Sequence, residues 1–305
     1  MEELLIIGGG TAGLTAAIYA CRAGKSVTLL EKETTGGQIV FSPKVENYPG
    51  LAGISGTDYA AALTEQAEQL GAKICYAEVL GIEKTDKGFT VHCDDQDRTA
   101  RALVLAPGTH HRTLGLDGEE DLVGCGVSYC AVCDGAFYAG MDVAVLGGGS
   151  TALTDALFLS GICKKVTLIH RREAFRGEPA LLRRLQEKDN VAFKLCSTVA
   201  GIQDQNGEVC SITVKDLKTG EEQDMPVAGL FIAIGQVPET GFAKGLVELD
   251  EAGYVRACED CRTSCEGVFT AGDCRTKAVR QLTTAAADGA VAALAACRYL
   301  DSRAE

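Results

Sequence analysis

The chain has 305 residues, of which 46% are hydrophobic, and this length favours two domains over one. Its 29 Lys and Arg residues are outnumbered by 42 Asp and Glu residues, and the resulting net charge of −13 would repel nucleic acid and anionic lipid. We therefore expect neither a nucleic acid nor a membrane surface as a partner.

The 14 cysteines bear on the redox compartment. The first apolar run begins at Leu4 and leaves no room for a signal peptide before Gly8, so we expect a reducing, cytoplasmic location. Scattered cysteines there are most simply small buried hydrophobic residues. No uninterrupted apolar run reaches membrane-spanning length.

The chain opens with a pattern that predicts a strand, a glycine turn and a helix. The apolar run 4–7 leads into Gly-Gly-Gly-Thr-Ala-Gly at 8–13, and a second apolar run ends at Glu31. Gly8, Gly10 and Gly13 would let the backbone approach a pyrophosphate, and Glu31 would accept hydrogen bonds from ribose hydroxyls. One such fingerprint is a weak signal by itself.

The middle of the first half is less specific. Apolar residues at helical spacing predict a helix from Thr57 to Leu70, capped by Thr or Asp. Residues 82–93 and 99–105 alternate as strands, with a turn at Lys87 and Gly88. The segment 112–126, rich in glycine and acids, is predicted to cross between domains.

A cysteine pair follows at 130–134, in the sequence Cys-Ala-Val-Cys-Asp. Two intervening residues let both sulfurs sit on the first turn of a helix, where a thiolate is favoured, so Cys130 and Cys133 are predicted to cycle between dithiol and disulfide. The alternatives are two structural cysteines or half of a zinc site. Zinc needs a second matching pair, and the adjacent His110 and His111 are poorly arranged for chelation.

A second copy of the glycine fingerprint shows that the chain contains an internal repeat. An apolar run at 143–146 leads into the predicted nucleotide-binding residues Gly147, Gly149, Ser150, Thr151 and Ala152. An offset of 139 residues maps Gly8, Gly10, Gly13 and Glu31 onto Gly147, Gly149, Ala152 and His170.

The two copies differ at the positions predicted to bind the ribose. Glu31 would repel a 2′-phosphate, whereas His170, Arg171, Arg172 and Arg176 offer cationic donors that match one. We therefore interpret the second copy as an NADPH site and the first as a site for FAD or NAD. The alternative is that the basic run is a solvated helix entry. After it, 230–234 predicts a strand and 281–300 an alanine-rich helix.

In this order, the motifs resemble the low-molecular-weight thioredoxin reductases of the FAD- and NADPH-dependent pyridine nucleotide-disulfide oxidoreductases, over essentially the whole chain. Besides both fingerprints, the cysteine pair and the basic run, the resemblance rests on the segments 36–38, 45–50, 269–273 and 280–281. It implies an α/β fold of two Rossmann-like three-layer dinucleotide-binding domains, the second inserted into the first. The implied FAD-binding domain is 1–115 with 245–305, and the implied NADPH-binding domain is 116–244.

The resemblance also implies roles for individual residues. Cys133 would lie against the flavin, Cys130 would attack the partner disulfide, and Asp134 would shuttle a proton to the dithiol, or stabilise the helix as a first-turn acid. The residues implied at the flavin are Gly37, Gln38, Asn47, Gly272, Asp273, Arg280 and Gln281. A homodimer, with thioredoxin as substrate and a rotating inserted domain, is implied as well.

Some positions depart from the family pattern. Thr154 replaces one of two adjacent acids after the second fingerprint, which weakens the expectation for the nicotinamide, and residues 106–109 replace the usual turn near the flavin. A cluster absent from the pattern comprises Cys258, Cys261, Cys265 and Cys274. Its spacing is not diagnostic of a metal, so we expect none.

Several alternative functions remain open on the sequence alone. The same chemistry fits a peroxiredoxin-type or glutaredoxin-like partner, a small-molecule dithiol, or ferredoxin as donor, although the arginines argue against ferredoxin. Two alternatives belong to other classes. One is a non-catalytic redox sensor, and the other is a flavin reductase for ferredoxin or quinone that makes no use of thiols. The full set of cofactor motifs disfavours the sensor, and Cys130 with Cys133 disfavours the thiol-free reductase.

Overall fold

The computed structural model describes residues 1–42, 44–51 and 53–303. The chain forms two compact units: unit 1 combines Met1–His110 with Val237–Glu305, and unit 2 is the continuous segment His111–Gln236. The second unit is therefore inserted into the sequence of the first. The divisions lie five and eight residues earlier than the expected boundaries at 115 and 244, because the two connecting segments, Thr109–His111 and Gln236–Pro238, pair as strands at the division.

The described strands are β1 (Glu2–Ile7), β2 (Val27–Glu31), β3 (Lys73–Tyr76), β4 (Val79–Thr85), β5 (Gly88–Cys93), β6 (Arg98–Leu105), β7 (Thr109–His111), β8 (Val127–Ser128), β9 (Asp142–Gly147), β10 (Lys165–His170), β11 (Val191–Leu195), β12 (Ser197–Gln205), β13 (Glu208–Asp216), β14 (Glu222–Pro226), β15 (Gly229–Ala233), β16 (Gln236–Pro238) and β17 (Val268–Thr270). The described α-helices are α1 (Thr11–Arg22), α2 (Gly56–Gln69), α3 (Ala131–Asp134), α4 (Ser150–Ser160), α5 (Pro179–Gln186) and α6 (Leu282–Asp301). Short 3-10 helices lie at Gly37–Phe41, Gly135–Tyr138, Gly241–Ala243 and Gly272–Cys274.

Unit 1 is built on one sheet with the order β3-β2-β1-β6-β5-β4. Strand β6 pairs parallel with β1 along one edge and has two partners along the other: its first three residues pair antiparallel with β5, and its last three pair parallel with β17. Strands β1, β2 and β3 are parallel, so their carboxyl ends lie at one edge. In open parallel sheets ligands bind outside that edge.

Helices α1 and α6 pack together in the core of unit 1. They are rich in alanine, and Gly289 of α6 comes so close to α1 that a Cβ there would overlap the carbonyl oxygen of Ala12. The small side chains bury both helices against Leu4, Ile6 and Leu29 of the sheet. The second face of the sheet is covered by a separate apolar cluster that includes residues from 243–255.

Unit 2 repeats this design. Its parallel sheet has the order β11-β10-β9-β15-β8, and a three-stranded antiparallel sheet, β12-β13-β14, accompanies it. The 139-residue offset holds in the backbone pairing as well as in the sequence. The pairs Leu4 with Val27 and Ile6 with Leu29 in unit 1 map onto Val143 with Val166 and Val145 with Leu168 in unit 2.

In the part of the chain that the structure describes, no helix combines the length and apolar character needed to cross a bilayer.

Candidate functional site

The first feature of the site is a disulfide between Cys130 and Cys133, with their Cα atoms 5.3 Å apart. Cys130 is the N-cap of α3, and the Cys133 backbone N–H donates a hydrogen bond to the Cys130 sulfur at 3.2 Å. Such an N–H favours a thiolate over a thiol, because it points its positive end at the sulfur. The local backbone therefore stabilises Cys130 as an anion once the bridge is reduced.

An acid lies directly beside the disulfide. Asp134 ends α3, and the Ser128 hydroxyl donates a hydrogen bond to its Oδ2 at 2.6 Å. Burial raises the pKa of Asp134, and the bond from Ser128 partly opposes that rise. A carboxyl with a raised pKa holds a proton closer to neutral pH and is suited to proton transfer.

Ser128 is a residue that sequence reasoning missed. It is 2% exposed and also accepts a hydrogen bond from the Cys130 backbone N–H at 3.1 Å, so one hydroxyl bridges the acid and the first cysteine. The only sequence signal is a serine two positions before that cysteine.

Glu119 was missed as well, and it organises the segment expected to cross between domains. It is 1% exposed and accepts hydrogen bonds from the backbone N–H groups of residues 114–116 and from the Tyr129 hydroxyl at 2.9 Å. The Tyr129 ring in turn stacks on His111, with ring centroids 4.7 Å apart. This buried carboxylate fixes the backbone just ahead of Cys130.

The first fingerprint forms a backbone cradle at the end of β1. Gly8 has φ +102°, and a Cβ on Gly13 would overlap the Gly8 carbonyl oxygen. Glu31, at the end of β2, accepts hydrogen bonds from the N–H groups of Gly9 at 2.7 Å and Glu33 at 2.9 Å. A carboxylate can accept about four hydrogen bonds, so Glu31 keeps capacity for ribose hydroxyls.

The segment that begins at Gly36 lies next to this cradle. The Gly36 backbone N–H donates to the Gly9 carbonyl at 2.8 Å, and Gly37 has φ +66° and packs against Gly10. Gly37 and Gln38 are exposed. The structure therefore brings these two expected flavin residues to the first fingerprint.

Residues from distant parts of the sequence meet in the same unit. The Asn47 side-chain amide donates to the Gln281 side chain at 3.1 Å, and Arg280 Nε donates to the Asp273 carbonyl at 3.1 Å. Asp273 follows Gly272 after β17, and burial raises the pKa of its carboxyl. Within the described residues its Oδ1 is buried and has no hydrogen-bond partner. A donor from a bound ligand or a water molecule would satisfy this oxygen.

The second fingerprint is packed against the end of β10. A Cβ on Gly148 would overlap the His170 imidazole, as Gly9 lies against Glu31 in unit 1. The Arg176 backbone N–H donates to the Gly148 carbonyl at 2.7 Å, which holds the basic loop against the fingerprint.

The four basic residues fall into two groups. Arg171, Arg172 and Arg176 are exposed, and in the described part of the chain none of their guanidinium groups pairs with a carboxylate within 4 Å. His170 is only 4% exposed, and burial together with these arginines lowers its pKa. The expectation that His170 is a cationic donor is therefore not supported: the neutral ring stacks on Phe175 and bonds to the Ala174 carbonyl.

Helix α4 begins at the second fingerprint and carries the position that departs from the family pattern. Gly149 is its N-cap, Ala152 is buried, and Ser150 accepts a hydrogen bond from the Glu178 backbone N–H at 3.2 Å. Thr154 is exposed. The neighbouring Asp155 is half-buried, and burial raises its pKa to about 6.

The cysteine cluster near the end of the sequence does not converge on a metal. Cys258 is exposed, while Cys261, Cys265 and Cys274 are buried in packing. Burial raises the pKa of Cys261 to about 12 and that of Cys274 to about 11, so both thiols are neutral in the protein without a metal. Among residues 1–42, 44–51 and 53–303, no group of three or more His, Cys, Asp or Glu side chains is arranged to hold a metal ion.

Comparison with known proteins agrees with this geometry. The model of the pyridine nucleotide-disulphide oxidoreductases matches residues 2–289. The thioredoxin reductase of Treponema pallidum is 41% identical, covering 98% of this chain and 97% of that protein. The thioredoxin reductase of Bacillus subtilis is 37% identical, covering 98% of this chain and 95% of that protein.

A solved structure agrees as well. The thioredoxin reductase of Streptococcus pyogenes is 40% identical, covers 99% of each chain and superposes with a TM-score of 0.95. The chain therefore belongs to the pyridine nucleotide-disulphide oxidoreductase family and, within it, to the thioredoxin reductases.

Proposed function

We propose that this protein is an NADPH-dependent thioredoxin-disulfide reductase, a flavoprotein that passes electrons from NADPH through FAD and the Cys130–Cys133 disulfide to thioredoxin. The observation that carries the proposal is the disulfide at the start of α3, with the half-buried acid Asp134 beside it, hydrogen-bonded to the buried Ser128. The family, and relatives at about 40% identity over the whole chain, support it.

FAD is assigned to unit 1. The glycine cradle at 8–13, the carboxylate of Glu31 and the unpartnered buried oxygen of Asp273 fit a ligand with a pyrophosphate, a ribose and a polyol chain. Gly37, Gln38, Asn47, Arg280 and Gln281 are the further residues assigned to hold it. When bound, FAD supplies the two-electron chemistry that links a nicotinamide to a disulfide.

NADPH is assigned to unit 2, with Gly147, Gly149, Ser150, Thr151 and Ala152 at its pyrophosphate. Arg171, Arg172 and Arg176 supply the cations for the 2′-phosphate, since arginine forks match phosphate oxygens. His170 is assigned a supporting role, because its ring packs between Gly148 and Phe175.

The cysteines carry out the exchange with the partner. The Cys130 thiolate attacks one sulfur of the partner disulfide, forming a mixed disulfide and releasing the other partner sulfur as a thiolate. The Cys133 sulfur then attacks Cys130, which releases the second partner sulfur and re-forms the Cys130–Cys133 bond. Asp134 is the local acid that supplies a proton to a departing thiolate.

The partner is thioredoxin or a similar small dithiol protein, and the assembly is a homodimer, as the family resemblance implies. A net charge of −13 disfavours nucleic acid and anionic membrane surfaces. Twelve cysteines outside the redox pair are free thiols, which fits a reducing, cytoplasmic location.

Serine variants of the two cysteines test the proposal. Cys130→Ser and Cys133→Ser should each abolish NADPH-dependent reduction of thioredoxin while FAD stays bound, whereas Cys125→Ser, at an exposed free cysteine of the same unit, should leave the rate unchanged. Cys130→Ser should also leave a thiolate beside the flavin and a long-wavelength absorption band that Cys133→Ser lacks. Turnover that persists in either variant of the pair would refute the assignment.

A further inference from the structure

A buried charge network surrounds Asp288, the only charged residue of α6 before Arg298. Its Oδ2 accepts hydrogen bonds from the Gly272 backbone N–H at 3.0 Å, from Arg275 Nε at 2.8 Å and from Lys277 Nζ at 2.8 Å. Its Oδ1 accepts a further bond from Arg275 Nη2 at 2.8 Å. The three charged side chains are between 4% and 9% exposed.

The network has one more cation than anion. Asp288 balances either Arg275 or Lys277 but not both, and Glu259, at 4.0 Å from Arg275, is fully exposed and weakly coupled. A buried excess charge is costly unless a counter-charge lies near. The Asp273 carboxyl, on the same short loop, is the group available for that role.

Asp273 lies on the loop from Gly272 to Lys277, between residues that are hydrogen-bonded to Asp288. Asp273 is half-buried as a residue, and its Oδ1 is fully buried with no hydrogen-bond partner among the described residues. Arg275 and Lys277 come two and four residues later and are both tied to α6. The backbone on either side of Asp273 is therefore held by one carboxylate.

We propose that Asp288 and Lys277 are positioning residues for the flavin: Asp288 ties the loop that carries Asp273 to α6, and Lys277 supplies the cation that balances the Asp273 carboxylate. This inference rests on the assignment of FAD to unit 1. Neither residue needs to touch the cofactor, because both act through Asp273.

The charges around Asp273 predict that FAD binding depends on pH. Burial raises the pKa of Asp273, the cations of Lys277 and Arg280 lower it, and Asp288 raises it. Cys274 is neutral, since burial raises its pKa to about 11, and α1 contributes the uncharged Ala12 beside the loop. Removing Lys277 therefore raises the Asp273 pKa further, so the carboxylate that accepts hydrogen bonds from a polyol is lost at a higher pH.

The test is the dissociation constant of FAD, measured by fluorescence quenching on deflavinated protein between pH 5.5 and 8.5. Lys277→Met should weaken FAD binding by about tenfold at neutral pH, because a smaller fraction of the Asp273 carboxyl is then ionised. The difference in FAD affinity between the variant and the wild type should grow as the pH falls. In the variant, the weakening of FAD binding at low pH should also begin at a higher pH than in the wild type. Lys277→Arg, which keeps the charge, should restore most of the affinity.

Lys25→Met is the matched control, since Lys25 pairs with Asp301 at the other end of α6, in the same unit. It should leave both the affinity and its pH profile unchanged. A merely structural role for Lys277 would lower the melting temperature without moving the pH profile.

The outcomes separate this inference from the function it rests on. Wild-type protein that binds no FAD would overturn the proposed function itself. Wild-type protein that binds FAD, with Lys277→Met equal to it in affinity and in pH profile, would overturn only the role of Lys277. Should Lys277→Met fold poorly, Lys277→Gln keeps a donor to Asp288 without the charge, and an unshifted profile there would be equally decisive.

Discussion

The basic loop of unit 2 gives a prediction whose size follows from the structure. Arg171 and Arg176 are exposed and unpaired with any carboxylate in the described residues, so both are available to a 2′-phosphate. A hydrogen bond to a charged group contributes about 1.5–3 kcal/mol, and exposure to solvent and salt favours the lower value. Two such contacts amount to about 3 kcal/mol, or a ~100-fold change in affinity.

The double variant Arg171→Ala/Arg176→Ala should therefore bind NADP⁺ about 100-fold more weakly than the wild type in titration calorimetry. The KM for NADPH should rise in parallel, while the KM for NADH changes little, because NADH has no 2′-phosphate. The flavin absorption spectrum should stay unchanged, since the substitutions lie in unit 2.

The control is Arg183→Ala/Arg184→Ala, which removes the same charge from exposed positions of α5 in the same unit. It should leave the preference for NADPH over NADH intact. If the control weakens NADP⁺ binding as much as the test variant, general electrostatic attraction explains the effect. If the test variant keeps the wild-type preference, the arginines form a solvated surface and the reasoning is wrong.

Three further predictions concern the acid, the cysteine cluster and the first fingerprint. The folded pKa of Asp134 is raised, so the destabilisation by this carboxyl begins above its ordinary, unfolded-state pKa and is complete once the pH exceeds the folded pKa. Asp134→Asn should therefore raise the melting temperature at pH 8, with a gain that vanishes as the pH falls to the ordinary carboxyl range, and a gain independent of pH would contradict this. Cys261→Ala should leave NADPH-dependent activity largely intact, and elemental analysis should find no stoichiometric zinc or iron; one metal per chain would reverse the interpretation. Gly13→Ala should lose FAD on gel filtration because its Cβ would overlap the Gly8 carbonyl, whereas Gly241→Ala, where a Cβ meets open space, should retain it; equal retention would argue against the cradle.

Repeats and local motifs were predictable because they depend on spacing. The 139-residue offset between the fingerprints reappears in strand register, and the two-residue gap between Cys130 and Cys133 is enough to place both at the start of a helix. The helix at 56–69 was located too, although its N-cap is Ser55 rather than a later Thr or Asp.

What the sequence could not reveal depends on contacts between distant residues. Asp288 appears in sequence as one acid in an alanine-rich helix, and its role follows only from the loop that folds onto it. Glu119 lies in the segment predicted to cross between domains, and nothing in that prediction indicates that it is buried and accepts hydrogen bonds from the backbone ahead of it. His170 has the sequence context of a cation, and only packing against Gly148 reveals it as a neutral ring.

The packing of α1 on α6 has a consequence for synthesis of the protein. Almost 260 residues separate the end of α1 from the start of α6, so the core that buries α1 cannot close until α6 has left the ribosome. Unit 2 is continuous in sequence, and its synthesis is finished at Gln236, before α6 begins at Leu282. Domains generally fold as units while the chain grows, and contacts distant in sequence form late. The inserted unit should therefore complete its fold before unit 1, whose core lacks α6 until the end of translation.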